Sequence, residues 1–152
     1  MPLRHLQHVL IQATDLEGTT KWYEDVLGMK RGPHPDFKFP VEWLYLGDDV
    51  VLHLTEGGAG VSANRMQYLG QQSTATHGSG VVDHVAFRAD GLKDMLDHLR
   101  ARGEKFQTRQ VSETSLFQIF LIDPNGVKVE LNFENAEAEG IEPELLASED
   151  LA

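Results

Sequence analysis

The chain has no cysteine at all, which excludes disulfides, thiolate zinc sites, iron–sulfur clusters and a cysteine nucleophile. Any bound metal must then be held by histidine, carboxylate or amide groups. Basic residues are also scarce: 13 Lys and Arg stand against 24 Asp and Glu, a formal charge of −11 over 152 residues. That deficit argues against a phosphate backbone as partner, so no nucleic acid is expected. No apolar run approaches the roughly 18 residues that span a bilayer, so no membrane partner is expected and the protein reads as soluble and cytoplasmic. The length suits one domain or two intimately paired halves, not two independent cores. Charge is uneven: seven acids and no Lys or Arg lie from Glu134 to Ala152, leaving −4 for the rest.

What the chain does have is a repeat. Leu6-Gln7-His8-Val9-Leu10-Ile11-Gln12-Ala13 lies against Val82-Asp83-His84-Val85-Ala86-Phe87-Arg88-Ala89, 76 residues on. Each segment leads into a helical stripe, Leu16, Thr19, Thr20, Tyr23 and Leu27 in the first copy and Leu92, Met95, Leu96 and Leu99 in the second. Asp15 and Asp90 suit N-caps, and Gly28 and Gly103 stand where helices stop. Further on, Trp43 to Leu54 matches Phe120 to Leu131 at an offset of 77. Both are an apolar run, a turn of Gly, Asp, Pro or Asn, and a second apolar run, which predicts a hairpin. Each half therefore reads β-α-β-β-β. The expected organisation is module one over 5–56, a linker over 57–80, module two over 81–134 and an acidic tail over 135–152. The linker holds six glycines, though Met66-Gln67-Tyr68-Leu69 could form a short covering turn. In the tail, Ile141, Leu145 and Leu146 allow a short capping helix.

Four metal-competent side chains occupy equivalent places: His8 and His84 in the first strands, His53 and Glu130 in the last. Pairing the modules about a pseudo-two-fold axis would converge them, and an ion with ligands near 2.0–2.2 Å needs donors from several strands. Along Val127 to Phe133 the odd positions are apolar and the even ones polar, so Glu130 shares a polar face with Lys128 and Asn132. By the same period His8 aligns with Gln12 and His84 with Arg88. Taken singly, a strand histidine is an ordinary half-buried hydrogen-bonding residue. Four at matched positions point to a site. His5, His34, His77 and His98 lack such partners and are expected at the surface.

These residues resemble the vicinal oxygen chelate superfamily of glyoxalase I, bleomycin-resistance proteins and extradiol dioxygenases. The carriers are Leu6-Gln7-His8-Val9, Trp22 to Met29, Val82 to Phe87, and the Asp123-Pro124-Asn125-Gly126 turn with Glu130 behind it. The resemblance implies an α+β fold in which two paired β-α-β-β-β modules form an open mixed-sheet barrel around one divalent ion. Mapped by position, it implies His8, His53, His84 and Glu130 as ligands. Glyoxalase I typically has Glu at the place of His53 and often an anion-gripping Arg at that of Gln12, with Arg88 matching the latter in module two.

The function implied is a glyoxalase I-like lyase or isomerase that chelates neighbouring oxygens of a small-molecule substrate and stabilises an enediolate, with Glu130 as base. Arg88 and Gln12 are the candidate substrate-binding residues; Trp43, Phe37 and Phe120 could wall the pocket, core packing being the plainer account. Two alternatives stand beside it: an extradiol dioxygenase with a His8, His84 and Glu130 triad, and a non-catalytic bleomycin-resistance-like binder. Residue types leave the metal open among Ni, Co, Zn, Mn and Fe. The resemblance further implies a homodimer.

Overall fold

The computed structural model describes residues 4–57, 62–69, 75–80, 82–111 and 116–146. It divides into two units, Met1–His77 and Gly78–Ala152. Linker glycines Gly58, Gly60 and Gly70 and the end of the acidic tail lie outside the described residues.

The first unit runs β1 (Val9–Ala13), α1 (Leu16–Asp25), β2 (Lys30–Gly32), β3 (Val41–Leu46), β4 (Asp49–Glu56) and α2 (Ala63–Leu69). Its sheet order is β1-β4-β3-β2, with β1 parallel to β4 and the remaining pairs antiparallel. Asp15 caps α1, its Oδ1 accepting from the Gly18 backbone N–H at 2.9 Å, which satisfies one of the first-turn donors. The helix packs on β1, β3 and β4 and buries Thr19, Thr20 and Tyr23, the stripe read from the 3.6-residue period. On β4 the alternation sends Leu52 and Leu54 into the core while His53 faces the other way. A two-residue turn, Gly47-Asp48, closes β3 onto β4, with Gly47 at φ 60°, where glycine alone is unstrained.

The second unit runs β5 (His84–Arg88), α3 (Leu92–Arg102), β6 (Gln107–Val111), β7 (Leu116–Ile122), β8 (Lys128–Glu134), a 3₁₀ turn Asn135–Ala138 and β9 (Leu145–Leu146). Its order is β5-β8-β7-β6-β9. The first four strands repeat the order of the first unit, so the α+β reading with two mixed sheets holds. Phe117, Ile119, Leu121, Val129, Leu131 and Phe133 are buried, and each large side chain so removed from water contributes about 1.5–3 kcal/mol. In the β7–β8 turn, Asp123 Oδ1 accepts from the backbone N–H of Asn125 at 2.7 Å and of Val127 at 2.8 Å. That closure explains why an Asp-Pro-Asn-Gly sequence turns here.

Three expectations are corrected. Asp90 does not cap α3: the N-cap is Gly91 at φ 82°, and Glu137 Oε1 accepts from the N–H groups of Gly91 and Leu92 at 2.8 and 3.2 Å. A carboxylate at a helix N-terminus meets both the unpaired donors and the positive end of the dipole, so the 3₁₀ turn supplies the cap from outside the helix. Ile141–Leu146 forms no helix; Leu145 and Leu146 extend the sheet, parallel to β6 opposite Arg109 and Gln110. The Glu144 backbone N–H donates to Thr108 Oγ1 at 2.9 Å, which ties this stretch to β6 in extended form. Within the region read as linker, Ala63–Leu69 is a helix of seven residues and not merely a turn.

Candidate functional site

In the first unit, β1–β4 pairing puts Leu10 opposite His53. His8, two residues earlier and one residue before β1 begins, therefore faces the same side as a diagonal neighbour. The imidazoles of His8 and His53 stack at 3.8 Å between centroids with 15° between planes. Trp43, directly opposite His53 on β3, stacks on the other face at 4.2 Å and 9°. His53 is thus held between two rings, and its buried Nε2 has no hydrogen-bond partner among the described residues. Burial, with the nearby His8 adding to it, pushes the His53 pKa down to about 4, so the ring is neutral at neutral pH, the form whose nitrogen can donate a lone pair to a metal.

A cavity of about 210 Å³ opens beside this stack, lined in part by His8, His53, Trp43, Phe37, Phe39 and Thr55. Behind Thr55 lies Arg65 of α2, only 1 % exposed. Its Nε donates to Thr55 Oγ1 at 3.1 Å and its Nη2 to Gln12 Oε1 at 3.1 Å. Burial holds its pKa below the usual guanidinium value, the nearby Glu56 carboxylate opposing the shift. Gln12 in turn donates to the Ala75 carbonyl at 2.8 Å. Gln12 is therefore engaged by the buried guanidinium.

In the second unit the matching register places Ala86 opposite Glu130, with His84 two residues earlier. His84 Nε2 lies 3.0 Å from Glu130 Oε2, and its Nδ1 lies 2.7 Å from Asp83 Oδ2. Asp83 also receives Lys128 Nζ at 2.6 Å; Lys128 and His84 together lower its pKa. Glu130 is buried, and its Oε1 accepts from Gln118 Nε2 at 2.7 Å. Gln118 also donates to Asn132 Oδ1 at 3.0 Å and accepts from Arg109 Nε at 2.8 Å. The carboxylate is tethered through one oxygen and presents the other to His84.

The donor chemistry fits a divalent cation. An imidazole whose Nδ1–H is taken by a carboxylate turns a lone pair on Nε2 outward, and a lone pair 3.0 Å from a carboxylate oxygen requires a proton or a cation. Two donors about 2.1 Å from one ion and at right angles stand about 3.0 Å apart. The orphaned His53 Nε2 is a second donor of the right kind. Among the described residues no three His, Cys, Asp or Glu gather closely enough to hold an ion; the four candidates come as two pairs, one in each unit.

The remaining candidates fall elsewhere. Arg88 is exposed and its Nη2 pairs with Glu134 Oε1. Phe120 lies under the Arg109 guanidinium at 4.8 Å. His5, His34, His77 and His98 are exposed, although His34 stacks on Phe37 at 6.4 Å. Three residues escaped notice in the sequence. Arg65 is the only Lys or Arg between Lys38 and Arg88, a signal hidden by its Gly- and Ser-rich surroundings. Gln118 is the one polar residue in Leu116–Ile122, and Asp83 is the neighbour of a candidate ligand.

No described helix is long and apolar enough to cross a membrane. A lactoylglutathione lyase of Haemophilus influenzae is 26% identical over 129 residues, covering 81% of this chain and 87% of that protein. Among solved structures, the fosfomycin resistance protein FosX of Listeria monocytogenes superposes with a TM-score of 0.62 at 13% identity, covering 86% of this chain and 93% of that one. A lactoylglutathione lyase of Agrobacterium tumefaciens does so with a TM-score of 0.61 at 16% identity, covering 88% and 96%. Residues 5–131, from before the first histidine pair begins to just past Glu130, match a single family along their whole length. The repeat, the strand order and that match together make this chain a member of the Glyoxalase/Bleomycin resistance protein/Dioxygenase superfamily.

Proposed function

We propose that the protein is a divalent-metal-dependent lyase or isomerase that moves a proton between adjacent oxygen-bearing carbons of a small substrate. The observation that carries this reading is the buried His53 Nε2, which has no hydrogen-bond partner among the described residues. His8, His53, His84 and Glu130 would hold the ion. Bound there, a divalent cation supplies Lewis-acid stabilisation of negative charge on two neighbouring substrate oxygens. Gln118 holds Glu130 Oε1, so the base would be Oε2 once that oxygen is free of the ion, taking the proton from one carbon and returning it to the next. Asp83 and Gln7 steady the Nδ1 atoms of His84 and His8, at 2.7 and 3.1 Å, and so aim both Nε2 atoms. Arg88 can release Glu134 to take a substrate carboxylate, since an exposed ion pair costs little to open. Gln12 acts through Arg65, whose position it holds. A lactoylglutathione lyase among the relatives supports the reaction class, and the family resemblance supports a homodimer working in the cytoplasm.

Elemental analysis and calorimetric titration with Co²⁺, Ni²⁺ and Zn²⁺, comparing the unsubstituted protein with His53→Ala, test the reading. One ion per chain, lost in the variant, is the expected result. Undiminished occupancy would instead favour a His8, His84 and Glu130 triad. Oxygen consumption with a catechol would move the protein to the dioxygenases, and failure to take up any ion would leave a binding protein.

A further inference from the structure

We propose that the cavity of the first unit receives a single uncharged, ring-sized apolar group, an aryl ring above all, carried by the substrate whose oxygens the metal site binds. The proposal rests on the preceding reading only for where those oxygens go. Size is the first argument. A cavity of 150 Å³ walled by apolar side chains holds benzene, so about 210 Å³ admits one ring with a short oxygenated arm.

The lining is the second. Phe37, Phe39 and Trp43 form a ring-bearing wall, with Phe37 and Phe39 5.7 Å apart and Phe37 and Trp43 6.0 Å apart, spacings at which a further aromatic ring gains from offset or edge contacts. The polar groups of the lining residues are the two imidazoles, the Trp43 indole N–H and the Thr55 hydroxyl. That hydroxyl donates to the Pro40 carbonyl at 3.3 Å and accepts from Arg65, so it is already satisfied. No Lys, Arg, Asp or Glu is among the described residues lining the cavity, and an anionic or zwitterionic group placed there would lose hydration without compensation. The imidazoles stand at the cavity wall, so a ring seated among Phe37, Phe39 and Trp43 turns oxygens on its neighbouring carbons toward them.

The test uses the whole chain carrying Trp22→Phe, which leaves Trp43 as the sole tryptophan and hence a fluorescence reporter within the cavity wall. It is titrated with 1-phenyl-1,2-ethanediol and with 1,2-propanediol, two uncharged molecules with the same vicinal oxygens, one bearing a ring and the other a methyl group. The phenyl compound is expected to bind at least about tenfold more tightly, and Phe37→Ala is expected to abolish that preference. Equal affinity for the two diols, no binding of either, or a preference that survives Phe37→Ala would overturn the proposal. Should Phe37→Ala fail to fold, saturation transfer from aromatic side-chain protons to the phenyl ring in the unsubstituted protein decides instead, and its absence overturns the proposal. Calorimetry with Co²⁺ on the same sample separates the two readings. An ion bound without ring preference sinks this inference alone; ring preference without an ion sinks the metal reading and leaves the cavity's ligand class standing.

Discussion

The two units carry out the same backbone instruction with opposite chemistry. Leu10 faces His53 in one and Ala86 faces Glu130 in the other; across the hairpins Trp43 faces His53 and Phe120 faces Glu130. The divergence comes one pleat further on, where Val41 pairs with Thr55 but Gln118 pairs with Asn132. In the first unit, apolar neighbours desolvate His53, keep it neutral and leave its Nε2 unsatisfied. In the second, the Gln118 amide of β7 ties one carboxylate oxygen of Glu130 and leaves the other to face His84. One framework thus makes a soft neutral donor in one half and a fixed anionic one in the other. The surrounding side chains decide which, because a buried polar group is governed by the partners within hydrogen-bond reach.

The most severe break of this contrast is Glu130→Gln, which keeps shape while removing the charge and the base. Turnover should fall by about 10²- to 10⁴-fold with the fold intact, as read by steady-state kinetics beside circular dichroism. Removing the buried cation of the first unit comes next. Arg65→Met leaves Gln12 and Thr55 without their donor, and the cost expected is about 1–3 kcal/mol in urea unfolding; a neutral outcome would mean that the guanidinium is not structural. Gln118→Leu makes the second unit resemble the first at the position of Val41. Metal affinity should drop about 10- to 100-fold by calorimetry. The smallest effect is expected at Arg88→Ala. Its pair with Glu134 is 60% and 57% exposed, so less than about 1 kcal/mol of stability is at stake. Any large loss of kcat/KM in that variant would then report substrate contact.

Much of this was legible in the residues because it is periodic. Alternation along β8 assigned Glu130 to one face and Val129 and Leu131 to the other. The 3.6-residue stripe gave Tyr23 and Leu99 their burial, and Gly103 ends α3 at φ 70°. What escaped had no period to betray it. Arg65 is a single charge in a polar stretch, meaningful only once α2 carries it beneath Thr55. Glu137 caps α3 from beyond β8, whereas a reading of local pattern looks for the cap at the adjacent Asp90. Gln118 reads as an interruption of an apolar run until its register with Asn132 and its hydrogen bond to Glu130 are known.

Strand alternation, helix stripes and turn chemistry are properties of neighbouring residues, so the amino-acid order alone determined the duplicated β-α-β-β-β plan and the matched positions of three histidines and a glutamate. Burial and hydrogen-bond satisfaction depend on residues distant along the chain that folding brings together. Only the tertiary structure could therefore decide that His53 would be neutral between two rings, that Gln12 would be claimed by a buried arginine, and that the tail would add a ninth strand instead of a helix.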